Sequence, residues 1–124
     1  MTNIAFDHNV LVVDDMRIPK RDHWKLVTTP DEALDILTDN QSWDIICLDH
    51  DLGGDLTIRP VIDHIVQNSR KFRETIFYII SSNPVGVDMM RQALSAKKLL
   101  AIPLTEDQKG LLFEFRSWEE MTGY

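Results

Sequence analysis

One cysteine, Cys47, stands in 124 residues. A lone thiol forms no internal disulfide, so nothing here calls for an oxidising compartment. Long hydrophobic runs are missing too. The longest are about five to seven residues, far below the roughly 20 needed to span a bilayer. No basic segment followed by an apolar run opens the chain, so no signal peptide is expected and a cytoplasmic location is. Positive charge is also short: 13 Lys and Arg face 20 Asp and Glu, for a net charge of -7. Most of such a surface repels a phosphate polymer, so extended nucleic acid is not an expected partner. Two short basic groups, Arg17-Lys20-Arg21 and Arg70-Lys71-Arg73, are expected to be solvated loop or helix ends.

What is present is globular. Hydrophobic residues make up 44% of the chain, enough for one domain, taken here as residues 1–124, to bury its own core. Short β-like runs alternate with helical patterns. Val10-Leu11-Val12-Val13 and Asp44-Ile45-Ile46-Cys47-Leu48-Asp49 read as strands covered on both faces. A weaker strand is expected at Lys25–Thr28, and further strands at Thr75–Ile80 and Leu99–Leu104. Thr29-Pro30-Asp31-Glu32 is a capping box with proline in the first turn, and Thr105-Glu106-Asp107-Gln108 is another. Helices are expected from there, from about Ile58 to Arg70, and from Asn83 to about Ala96. The final helix would place Leu111, Phe115 and Trp118 on one stripe. With Phe113 it carries more aromatic surface than one face needs, which leaves a homodimer open. Met16 to Trp24 is short, contains Pro19 and lacks a helical period, so the first crossover helix should be shortened or replaced by a loop.

Strands alternating with helices imply an α/β domain with a doubly wound, five-stranded parallel sheet, flavodoxin- or receiver-like. In the order 2-1-3-4-5, the first and third strands are neighbours at the switch point, where ligands bind outside the carboxyl ends. Asp14 and Asp15 end the first strand; Asp49 and Asp51 flank His50 after the third. The order therefore brings these carboxylates into one crevice. Crowded carboxylates either share protons or gather round a cation, and oxygen-only ligands suit Mg²⁺ or another hard divalent ion. His50 is read either as a general acid–base or as a loop histidine held by a neighbouring carboxylate. Ser81, Ser82 and Asn83 end the fourth strand, where hydroxyl and amide groups suit a phosphate oxygen and Asn83 also suits a helix cap. Arg17 is placed to meet a phosphate or an aspartate. Cys47, Trp24, Trp43 and His64 read as packing residues.

The order of features resembles the receiver domains of two-component signalling. Val12-Val13-Asp14-Asp15 is similar to the receiver acidic pair. Asp49 falls in the place of the phosphate-accepting aspartate, and Ser81 or Ser82 in that of the hydroxyl residue. The receiver's lysine before proline is replaced by Ile102 before Pro103, so ordinary phosphorelay is not what the resemblance implies. Three motifs are closer to a receiver-derived family described as cyclic-phosphate-processing: Asp14-Asp15-Met16-Arg17-Ile18-Pro19, Leu48-Asp49-His50-Asp51-Leu52-Gly53 and Ser81-Ser82-Asn83-Pro84-Val85-Gly86. A histidine commonly precedes the serine of the third motif there; this chain has Ile80.

That resemblance implies a metal-dependent, phosphoesterase-like hydrolase. Asp14, Asp15 and Asp49 would hold the metal. Asp49, His50 and Asp51 would carry the chemistry, and Arg17, Ser81, Ser82 and Asn83 would bind a small cyclic or terminal phosphate on a nucleotide or RNA end. Two alternatives stand beside it. One is a non-catalytic, degenerate receiver that binds a nucleotide or a protein partner. The other is a signalling domain phosphorylated on Asp49.

Overall fold

The computed structural model describes residues 9–115. Its centre is a sheet whose strands are β1 (Val10–Val13), β3 (Lys25–Val27), β4 (Ile45–Leu48), β5 (Ile76–Ile79) and β6 (Leu100–Pro103). All neighbours are parallel, in the order β3-β1-β4-β5-β6, which is the expected 2-1-3-4-5. Every residue of β1 and β4 is buried, as continuous apolar runs in the centre of a covered sheet should be. β6 is an edge strand and mostly exposed.

The sheet divides the core by the period-2 alternation of its side chains. Leu11, Val13, Ile46, Leu48, Phe77 and Ile79 point to one face, where α1 (Pro30–Leu37), α2 (Arg59–Gln67) and α3 (Pro84–Ala96) cover them. α1 starts with the expected capping box: Thr29 accepts from the backbone of Glu32 while Glu32 reaches back. Val10, Val12, Ile45 and Cys47 point to the other face, together with Trp24, Ile80 and Phe113. Trp24 meets Phe113 edge-on at 6.1 Å between ring centroids. The expected packing roles of Trp24, Trp43 and Cys47 hold, and burial pushes the Cys47 thiol up, out of reach of thiolate chemistry.

On this second face no helix forms between β1 and β3, as expected; the segment is not all loop, since it carries a short strand, β2 (Arg17–Pro19). The final helix, α4 (Glu106–Leu112), keeps its capping box but stops after seven residues. The chain then becomes β7 (Phe113–Phe115), antiparallel to β2 with Arg17 opposite Phe115. Leu111 and Phe115 are therefore not on one helical stripe, and Trp118 lies outside the described residues. Two of the three aromatic residues behind the homodimer expectation are not on a helix: Phe113 is buried in the core and Phe115 belongs to the ribbon. The physical reason is alternation. Phe113-Glu114-Phe115 puts both rings on one side of an extended segment, and β2 supplies the backbone partners.

Among the described residues, no helix is long and apolar enough to cross a membrane.

Candidate functional site

The ladder of the sheet carries two aspartates past the ends of their strands. Asp14 donates its N–H to the Val27 carbonyl and Asp49 donates to that of Val13, at 3.1 and 3.0 Å. Val13 pairs with Leu48, so Asp14 and Asp49 emerge side by side. Asp15 joins them, and one carboxylate oxygen from each residue lies within 4.8 Å of the others. The expected juxtaposition of the two acidic strand ends is present.

Arg17 bridges two members of this acidic group, Asp14 and Asp49. The Oδ1 atom of Asp14 accepts from the backbone N–H groups of Met16 (2.8 Å) and Arg17 (3.1 Å), which turns the chain back over the carboxylates. The Arg17 guanidinium then lies 3.0 Å from Asp14 Oδ2 and 3.8 Å from Asp49 Oδ2. Its second amino group donates to the Ser82 hydroxyl at 3.0 Å. Arg17 is 5% exposed and Asp14 0%. Arg17 thus serves as an aspartate partner, buried rather than a solvated loop end, while its Ser82 bond keeps it at the wall of the cleft. Lys20 and Lys71, from the two basic groups, donate instead to the carbonyls of Gly110 and of Leu37 and Asp39.

Asp49 is the electrostatically stressed member. Its burial, together with the charge of Asp14, pushes its carboxyl up to about 7. Arg17, the His50 N–H and the Ser81 hydroxyl pull in the opposite direction and do not cancel that rise.

Asp51 and His50 form a second unit. Asp51 Oδ1 is 2.9 Å from His50 Nδ1, and its Oδ2 accepts from the Asn83 amide at 3.3 Å. The bond with His50 is the main cause holding the Asp51 carboxyl below its usual range. An ionised carboxylate only accepts, so His50 Nδ1 is the donor in this hydrogen bond. The loop behind is fixed by a bridge between Asp51 and Thr57 and by the Ile58 N–H donating to the His50 carbonyl. Gly53 and Gly54 turn it at φ of +95° and +54°. A Cβ on Gly53 would lie 3.2 Å from an Asp15 carboxylate oxygen, so the turn is packed against the acidic group.

β5 delivers the third motif. Ser81 accepts from the Asn83 N–H, and Asn83 caps α3 by accepting from Val85 and Gly86. Gly86 is essential to this arrangement: a Cβ there would lie 2.5 Å from His50 Cγ. The His50 ring therefore rests on the first turn of α3.

A cleft of about 430 Å³ opens over these groups. Arg17, Asp49 and Asp51 line it, as do Ser81, Ser82 and Asn83. Met16 and Phe115 complete its walls. Asp14 lies buried beneath, and His50 reaches the cleft through Asp51. A second cavity, of about 340 Å³, opens on the far side of Ser81 and Ser82 and contains Lys109, which is buried and paired with Glu106.

A family model described as "Cyclic-phosphate processing Receiver domain" matches residues 3–96, the part of the chain that supplies all three motifs. The chain belongs to that family. This receiver domain also matches a solved chain described as yeast Spc42 trimeric coiled-coil amino acids 181–211 fused to another structure. The match has a TM-score of 0.58 and 16% identity, and covers 86% of this chain and 75% of the other, a likeness of fold. No curated protein matches the receiver domain significantly.

The three carboxylates fit a hard divalent cation: they are oxygen-only, mutually close and already held in place by the ladder and by Gly53. Three contributors were not foreseen from sequence. Gly86 seats His50, Phe115 walls the cleft and Lys109 stands behind the serines. A glycine ending the third motif was the one available signal, since a glycine at a helix start often marks close approach.

Proposed function

We propose that the cleft performs metal-dependent, phosphoesterase-like hydrolysis of a cyclic or terminal phosphate on a nucleotide or RNA end. The observation that carries this reading is the meeting of Asp14, Asp15 and Asp49 beside the Arg17–Ser82 pair. Asp14, Asp15 and Asp49 would hold a divalent cation, Mg²⁺ by ligand type. When bound, such an ion polarises a phosphoryl oxygen and lowers the pKa of a coordinated water.

The protein's own groups do the rest. Arg17, already aimed along the cleft wall, binds a phosphoryl oxygen with Ser82, and Ser81 and Asn83 bound the same space. Asp51, at the cleft wall and hydrogen-bonded to His50, is the end of this pair placed to exchange a proton with a leaving oxygen. The family's description supports a cyclic phosphate as the substrate group.

The test is incubation of purified protein with 2′,3′-cyclic phosphate RNA ends and with cyclic dinucleotides, with and without Mg²⁺. Turnover that requires the metal and disappears in Asp49→Asn is expected. No turnover from a folded, metal-loaded protein would remove the enzyme reading.

A specific observation favours a second reading, binding without turnover. Ile80, which stands where the family resemblance would place a histidine, is 0% exposed and packs into the core with Trp24 and Phe113. Nucleotide or protein-partner binding with no product would support it. Phosphorylation on Asp49 is the weaker option, because Ile102 leaves the end of β6 without a cation.

A further inference from the structure

Two large apolar side chains stand in a cleft otherwise lined with charged and polar groups. Met16 is 41% exposed and Phe115 is 62% exposed. A metal ion or a bare phosphate gains nothing from such surface, and leaving a phenyl ring in water is unfavourable. The Phe115 ring is also held in place. Its backbone pairs with Arg17 across the β2–β7 ribbon, and the Arg17 guanidinium lies over the ring, 5.0 Å from its centroid. The residue that grips the acidic group and Ser82 therefore also fixes the aromatic wall. The cleft's 430 Å³ falls within the roughly 300–1,000 Å³ of small-molecule sites. That is room for more than a phosphate. The family match ends at residue 96, so this wall comes from the part of the chain beyond it.

We infer that Phe115 is a base-stacking residue, and that the ligand is a nucleotide whose phosphate meets Arg17 and Ser82 while its base lies on the phenyl ring. This inference rests on the phosphate-site reading and adds the part of the ligand that carries no charge. Stacking on a preset ring is tolerant of base identity, because every base offers a π-face. The site therefore favours nucleotides as a class over base-free sugar phosphates, with little preference among bases.

Calorimetric titration of the Mg²⁺-loaded protein with adenosine 2′,3′-cyclic phosphate and with a base-free ribofuranoside 2,3-cyclic phosphate tests it. Phe115→Ala should weaken the nucleotide by about 5- to 150-fold, the range for loss of one stacked base, and weaken the base-free ligand far less. Phe115→Trp should restore nucleotide binding. Equal nucleotide affinity in Phe115→Ala and wild type would overturn the inference while leaving the phosphate site standing. Equal losses for both ligands would also overturn it, since the ring would then act only by positioning Arg17. If the wild type bound neither ligand, the phosphate-site reading would fall and this inference with it.

Discussion

Arg17 occupies the ground that a metal ion would claim, and the competition is measurable. Its guanidinium lies 3.0 Å from one oxygen of a fully buried Asp14 and 3.8 Å from Asp49. Replacing Arg17 with Met keeps most of the stem and removes the charge. Breaking a buried ion pair from one side costs about 3–5 kcal/mol, because the remaining charge loses its partner. For a domain of this size that is a fall in melting temperature on the order of 10–20 °C. The metal-bound protein should respond in the opposite sense. A cation held by the same carboxylates would share their space with the guanidinium, and even unit charges roughly 4 Å apart repel by about 4 kcal/mol at an effective dielectric near 20. Arg17→Met relieves that repulsion, so Mg²⁺ should raise the variant's melting temperature by more than it raises that of wild type. Thermal melts of both proteins over a Mg²⁺ series provide the measurement. A metal-free variant melting like wild type would refute the argument, as would equal Mg²⁺ shifts for the two proteins.

Three further outcomes follow from the same geometry. With the Asp49 carboxyl pushed up to about 7, the folded protein holds a proton that the unfolded chain releases near its ordinary value of 3.8. The contribution of Asp49 to metal-free stability therefore falls as pH rises from about 4 to 7, while Mg²⁺ affinity rises through the same window because the ion must displace the proton; calorimetry showing pH-independent Mg²⁺ affinity between pH 5.5 and 8 would contradict this. Asp49→Asn should abolish Mg²⁺ binding and stabilise the metal-free fold above pH 7 by about 1–3 kcal/mol, since it removes a desolvated charge, and denaturant melts that show a less stable variant would count against the assignment. Gly86→Ala places a methyl group where His50 Cγ lies 2.5 Å away; it should cost about 1–3 kcal/mol and shift the His50 ring resonances, and unmoved histidine signals in a variant as stable as wild type would show that the ring does not rest there.

Much of this was legible along the chain because it is local or topological. The apolar runs at Val10–Val13 and Ile45–Leu48 declare buried parallel strands, and parallel connectivity forces the acidic ends of β1 and β4 together. The Thr29 and Thr105 caps lie within four residues of their partners, so their chemistry shows in the sequence. What stayed hidden depends on distant contacts. Leu111 and Phe115 have helical spacing, and only pairing with β2, far upstream, selects the extended form of Phe113–Phe115. Likewise, an arginine in an acidic protein gives no sign of being 5% exposed until carboxylates from two strands enclose it. Gly86 looks like an ordinary residue of a first helical turn until His50, from another strand end, is laid against it.

The β2–β7 ribbon ties Arg17–Pro19 to Phe113–Phe115, segments far apart along the chain. A cut before Phe113 would strip Arg17, Ile18 and Pro19 of their cross-strand neighbours and take away the ring beneath the guanidinium. The residue that organises the acidic cleft therefore depends on backbone far downstream of it, and during synthesis the cleft cannot be finished until Phe115 has left the ribosome.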